Sequence, residues 1–141
     1  MVKFAISGSL FVVLQMIIAC HANPSAKQST QIPNTTAIRW EKTSLDLGKV
    51  KMGDTARFYF VFENTGLSPL IVSEKEKTCG CMLVTPPANP VLPGKIDSVQ
   101  VAFITRLSIT GWQRKSFQVS TNTPTPQQNL YFTAEITGHK Q

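Results

Sequence analysis

The sequence predicts an all-β domain folded as two packed sheets, and three observations carry that expectation. Apolar residues alternate with polar ones in four separate runs: Ala56, Phe58, Phe60 and Phe62; Val99, Val101 and Phe103; Phe117, Val119 and Thr121; Leu130, Phe132, Ala134 and Ile136. Period-two alternation places every second side chain on one buried face of a strand. Turn-forming clusters separate the runs at sandwich-like intervals: Met52-Gly53-Asp54, Asn64-Thr65-Gly66, Thr85-Pro86-Pro87, Leu92-Pro93-Gly94, Thr110-Gly111 and Asn122 to Pro126. No window carries the 3.6-residue apolar stripe of an amphipathic helix. About seven strands result, at roughly 37–47, 54–63, 69–76, 81–84, 96–104, 112–121 and 129–137, and an immunoglobulin-like β-sandwich is the economical architecture.

Ahead of that domain, Lys3 supplies a positive start and Leu10 to Ile18 form an apolar run broken only by Gln15. The run is shorter than the roughly 20 apolar residues that span a bilayer, so it reads as an export signal. Ile17-Ile18-Ala19-Cys20 resembles the bacterial lipobox, in which the cysteine is acylated and becomes the first mature residue. The expected organisation is therefore a signal peptide at 1–19, a lipidated Cys20 with a flexible linker at 20–36, and the sandwich at 37–141. Acyl chains contribute about 0.8 kcal/mol per buried methylene, enough for stable anchoring when one cysteine carries two or three of them. Residues 23–36 are polar, lack aromatics and contain Pro24 and Pro33, a composition that cannot bury enough apolar surface to offset ordering. No acidic run follows Cys20, so a periplasm-facing anchor is expected rather than a cell-surface one.

The hundred or so residues of the domain are enough for one core and not for two. Eight phenylalanines and two tryptophans are expected to lead that core. The formal charge of +6 comes from 14 basic and 8 acidic residues spread along the chain, without an Arg/aromatic patch. Nucleic-acid binding is therefore not indicated. A tethered basic domain is instead attracted to anionic headgroups or cell-wall polymers. The sequence has no Gly-rich phosphate loop, His-Glu-x-x-His or Gly-x-Ser-x-Gly. Its one histidine bordering the fold, His139, lies beyond the last expected strand, so no histidine stands among the strands to activate a nucleophile. Glu74 and Glu76, interleaved with Lys75 and Lys77, read as a solvated strand face. Trp40 and Trp112 would serve a glycan-binding surface only if both stacked outside the core.

Several motifs occur in a fixed order. Asp46-Leu47-Gly48-Lys49-Val50 precedes Phe58-x-Phe60-x-Phe62, then Asn64-Thr65-Gly66-x-x-Pro69-Leu70 and Thr78-Cys79-Gly80-Cys81. Pro93-Gly94, a G-x-x-x-K segment from Gly111 to Lys115, and Val119-Ser120-Thr121-Asn122 complete the set. Over nearly all of residues 40–138 this order resembles the bacterial family of unknown function numbered 1573, found in exported proteins of Bacteroidetes-type bacteria. The resemblance implies an Ig-like sandwich, related in shape to scaffolding modules of sperm proteins and cilia, and it implies no catalytic activity. Two positions depart from the usual pattern: Thr78 stands for a commoner serine, and Met82 for a small hydroxyl residue. Asn64, Gly66, Gly80, Pro93 and Gly94 are read as structural turn residues, with Asn64 and Gly66 tolerating left-handed backbone.

Cys79 and Cys81 are the only cysteines beyond the N-terminal segment, and three readings stay open for them. They form a local disulfide or fill a tight corner, they act as a redox-labile pair, or they bind a soft metal with help from Met82. In an extended strand, residues two apart sit about 6.5–7 Å apart at Cα, at or beyond the usual disulfide limit. Gly80 would have to let the backbone fold more tightly. Two thiolates do not close a zinc site, and His139 lies at the far end of the chain, so Cys79, Cys81 and Met82 are weak metal candidates. No cofactor is expected. The leading expectation is a non-enzymatic, membrane-anchored module that binds or scaffolds another envelope component, a protein or a polymer, through exposed sandwich edges or the loops around Cys79–Cys81 and Pro86–Pro93. The alternative is a periplasmic thiol-redox or copper-handling protein using Cys79 and Cys81.

Overall fold

The computed structural model describes residues 36–107 and 110–138. The expected signal segment, Cys20, the tether as far as residue 35, and His139 lie outside the described residues. Eight strands form among them: β1 (Ile38–Trp40), β2 (Ser44–Lys51), β3 (Thr55–Asn64), β4 (Val72–Lys77), β5 (Met82–Thr85), β6 (Ile96–Ile104), β7 (Gly111–Thr121) and β8 (Gln127–Thr137). One sheet has the order β1-β3-β6-β5 and the other β2-β8-β7-β4. All pairings between these strands are antiparallel except that of β2 with β8, which is parallel. The all-β sandwich expected from alternation is the fold.

The strand count corrects the sequence reading, which had one strand where the chain makes two. Its segment 37–47 is split between the sheets: β1 pairs with β3, and β2 lies beside β8. Glu41, Lys42 and Thr43 are all exposed and carry the chain across from one sheet to the other. Both halves are half-buried, so the alternation continues through the crossover and hides it. β2 also runs past Gly48, where a strand end was expected. Gly48 adopts a φ of 63°, its N–H donates to Asp46 Oδ1 at 3.0 Å, and the register shifts between Asp46 and Lys49. A glycine bulge thus continues the ladder instead of ending it. The expected strand from residue 69 begins at Val72, because Leu70 makes only an isolated bridge to Val91.

The core fills the space between the sheets. Phe58, Phe60 and Phe62 of β3 and Val99, Val101 and Phe103 of β6 meet Phe117 and Val119 of β7 and Leu130, Phe132, Ala134 and Ile136 of β8. Edge-to-face rings join the two sheets: Phe132 meets Phe58 at 4.9 Å and Phe103 at 5.1 Å, and Phe60 meets Phe117 at 5.5 Å between centroids. Such pairs add about 0.5–1.5 kcal/mol each beyond the area they bury. The expectation of eight phenylalanines and two tryptophans in the core is too generous. Phe4 and Phe11 lie outside the described residues. Trp112 is 66% exposed, because its even position on β7 faces solvent, opposite Phe117 and Val119.

The strand directions define two poles. Thr55 pairs with Ile104 at one end of the first sheet and Glu63 with Ile96 at the other. Ala37 lies at the second end, its carbonyl accepting the Thr65 N–H at 3.0 Å, so the chain enters the sandwich there. Thr36, the last residue assigned to the tether, is already buried.

Candidate functional site

The segment Thr78-Cys79-Gly80-Cys81 lies at the pole away from that point. It carries the chain from β4, at the edge of one sheet, to β5, at the edge of the other. Thr78 anchors its start. The Thr78 N–H donates to the Ser116 carbonyl at 3.1 Å, its hydroxyl donates to the same carbonyl at 2.8 Å, and that hydroxyl accepts the Ser116 N–H at 3.2 Å. The departure from serine at this position keeps the hydroxyl that makes these bonds. The far end is held by the Ile104 N–H, which donates to the Cys81 carbonyl at 2.8 Å. Because the segment turns instead of extending, the two Cα atoms are 5.2 Å apart and the sulfurs are joined in a disulfide. The geometric objection from an extended strand therefore does not apply.

Gly80 has a simpler place than expected. Its φ lies outside the left-handed range, it is exposed, and a Cβ there would meet nothing within 4 Å. The tightness of the turn does not come from a glycine-only conformation. Cys81 is buried at 5% exposure, whereas Cys79 is half-buried at the core margin. The Cys81 N–H donates to Cys79 Sγ at 3.3 Å. Closing so short a loop removes little chain entropy, on the order of 1–2 kcal/mol, against about 3 kcal/mol for a loop of 15 residues. Lys77, the nearest cation in sequence, pairs with Glu74 at 3.1 Å. As a disulfide the two sulfurs offer no thiolate to a metal, and Met82, the first residue of β5, is buried in the core. Among the described residues no group of three or more His, Cys, Asp or Glu gathers where it could hold a metal ion.

The other pole is organised by Asn64. Sequence reasoning gave it a left-handed turn, but it is the last residue of β3, extended and fully buried. Its side chain does the work instead. Nδ2 donates to the Ser68 carbonyl at 2.9 Å and to the Val91 carbonyl at 2.8 Å, while Oδ1 accepts the Gly66 N–H at 2.9 Å. The Asn64 main chain adds two more bonds, to Lys95 and Gly94. Pro93-Gly94 forms the expected turn: Gly94 takes a φ of 70° and the Lys95 N–H donates to the Leu92 carbonyl at 3.1 Å. Proline followed by a left-handed glycine is the signature of a type II turn.

Around those bonds lie exposed apolar side chains of which the sequence reading named only Leu92, as part of a turn in the Pro86–Pro93 region. Leu67, Ile71, Leu92 and Ile96 are four of the seven large apolar residues exposed among the described residues. Leu67 and Ile71 lie on the loop after Asn64, Leu92 on the loop after Val91, and Ile96 at the start of β6. Leu70 and Val91 bond each other in both directions at 2.8 Å and are buried, so Ile71 and Leu92 face outward beside that bridge. A signal was present: Gly66-Leu67-Ser68-Pro69 and Leu92-Pro93-Gly94 each place a leucine inside turn chemistry, where no strand face can bury it. A groove of about 320 Å³ adjoins the same pole, lined by Arg39, Trp40, Glu41, Val61, Phe62, Glu63 and Ile96. Trp40 packs on Phe62 at 5.1 Å, and its indole Nε1–H is buried without a partner among the described residues. Trp40 is thus a margin of the core. Trp112 and Tyr59, both exposed, stand on the outer faces of different sheets and form no common stacking platform.

All four sheet edges are blunted against strand addition. β1 has 3 residues and β5 has 4. β2 is bulged at Gly48 and exposes Lys49 and Lys51, and β4 carries Glu74, Lys75, Glu76 and Lys77 with a register shift of its own. Short, charged or bulged edges are the usual protection against edge-to-edge pairing.

Comparison with known proteins places this architecture. A protein of unknown function from Porphyromonas gingivalis W83 superposes with a TM-score of 0.63 at 19% identity, over 73% of this chain and 48% of its own. This chain thus spans about half that protein's length. The ASH/PapD-like domain 7 of human CEP192 superposes with a TM-score of 0.57 at 13% identity, over 87% of this chain and 97% of its own. The YadV chaperone gives 0.54 at 17% identity, over 74% and 54% respectively. At these identities the likeness is one of fold. No curated protein matches the sequence. The family model described as a protein of unknown function, DUF1573, matches residues 38–136. With the motif order, the sandwich and that match in agreement, the chain belongs to the DUF1573 family.

Proposed function

We propose that this chain is a non-enzymatic binding or scaffolding module of the bacterial cell envelope, anchored by acylated Cys20 and facing the periplasm. Its partner is an envelope protein with a complementary apolar surface, engaged through the loops around Asn64. The observation that carries this reading is the contrast between blunted edges and an apolar pole. Leu67, Ile71 and Leu92 are exposed on loops, and Ile96 at the start of β6, beside backbone held by the buried bonds of Asn64. Exposed apolar side chains beside a hydrogen-bonded frame mark candidate interaction surfaces. The sequence points to edges or to the loops around Cys79–Cys81 and Pro86–Pro93. The exposed leucines and isoleucines support instead the segments 64–71 and 91–96, which overlap that expectation only at Leu92 and Pro93.

Two variants of the full chain test this. Cys20→Ala should move the protein from the membrane fraction to the soluble fraction. Leu67→Asp/Leu92→Asp should reduce recovery of the envelope partner by roughly tenfold, the effect of losing about 1.4 kcal/mol of contact, with the thermal midpoint unchanged. Undiminished partner recovery would sink the assignment of the surface. Membrane retention without Cys20 would sink the anchor.

A further inference from the structure

We propose that the Cys79–Cys81 disulfide is a thiol-exchange site whose substrate is the dithiol of a second protein. Four observations converge on it. The bond links residues two apart and ties no distant strands together, so the sandwich does not depend on it. The backbone on both sides is held without it, by Thr78 on Ser116 and by Ile104 on Cys81. That frame keeps the sulfurs adjacent in the reduced as well as the oxidised state. The turn is open: Thr78 and Gly80 are exposed, and the space where a Gly80 side chain would stand is empty. Lastly, the two sulfurs are unequal. Cys79 is half-buried and accepts the Cys81 N–H, whereas Cys81 is buried.

That asymmetry assigns the roles. A thiolate of the incoming dithiol attacks Cys79 Sγ, the Cys79–Cys81 bond breaks, and Cys81 leaves as a thiolate that takes a proton from solvent. The mixed disulfide between Cys79 and the partner is then attacked by the partner's second thiolate. Cys79 departs as a thiolate with the Cys81 N–H aimed at its sulfur, a donor that favours the charged form. Cys79 then takes a proton from solvent. The net change is one disulfide and one dithiol exchanged, with two electrons passing to Cys79 and Cys81 and the partner's two thiol protons returned to them through solvent. The reverse sequence oxidises the pair again. Lys77 is engaged by Glu74, so the peptide N–H is the local donor to the Cys79 sulfur. This site lies at the opposite pole from the apolar loops and functions independently of them.

The test uses the full chain and the Cys81→Ser and Cys79→Ser variants. Equilibrated with reduced and oxidised glutathione under native conditions, the wild type should expose two thiols to maleimide tagging while its thermal unfolding stays cooperative. Counting against Cys79→Ser/Cys81→Ser removes any contribution from Cys20. With oxidised glutathione, the Cys81→Ser chain should form a mixed disulfide through Cys79 at least roughly tenfold faster than the Cys79→Ser chain does through Cys81, as access and thiolate character dictate. Thiols that appear only when the domain unfolds, or equal or reversed rates in the two variants, overturn the proposal.

Discussion

At the pole where the chain enters, one buried amide side chain ties two loops together, and the residues it displays are leucines and isoleucines. At the opposite pole a covalent bond joins two residues of a turn that Thr78, Ser116 and Ile104 already hold in place. The comparison inverts a common assumption about which bond matters to a fold. The covalent link closes a loop too short to restrict the unfolded chain much. The noncovalent one satisfies buried groups up to 27 residues apart in sequence, and buried polar groups left without partners are expensive. The frame beside the apolar loops carries the more costly buried bonds, and the disulfide turn is the one with chemistry to spare.

Asn64→Ala should therefore be the most damaging change of those that probe the two poles. It removes three side-chain hydrogen bonds and leaves the buried Gly66 N–H without its acceptor. The Val91 carbonyl keeps the Leu70 N–H. At about 1 kcal/mol per bond, and more for the orphaned donor, the expected loss is about 2–4 kcal/mol in denaturant unfolding. Cys79→Ser/Cys81→Ser should lose only about 1–2 kcal/mol in the same measurement. A larger loss at the disulfide than at Asn64 would reverse the ranking of the poles. Gly80→Ala should be smallest, within about 0.5 kcal/mol, since its φ suits an L-residue and its Cβ would meet open space. A loss above 2 kcal/mol there would mean the turn does need glycine.

Much of this architecture is written in the alternation of the sequence, because every inward side chain of β3, β6, β7 and β8 falls on a period-two position. The crossover at Glu41–Thr43 was hidden because the pattern persists on both sides of a change of sheet. The strand was expected to end at Leu47, whereas a left-handed glycine at 48 carries the ladder on as a bulge. Asn64 was legible as important and not as what it is. Its partners Ser68 and Val91 are chosen by the packing of two loops, which no local pattern encodes. Trp112 shows the same limit from the other side: hydrophobicity alone does not say which face of β7 a residue occupies. The cysteine pair stood out in the sequence at once, but the turn that brings the Cα atoms to 5.2 Å did not.

The decisive measurement is a photo-crosslinking map of the full chain in its native envelope, with the reactive group placed in turn at Leu67, Leu92, Lys49 and Lys75. Adducts to a protein concentrated at Leu67 and Leu92, and near background at Lys49 and Lys75 on the blunted edges, are the result expected of a module that binds through the Asn64 pole. Adducts that fall mainly on Lys49 or Lys75, or that join the two leucines only to lipid or polymer, would contradict it.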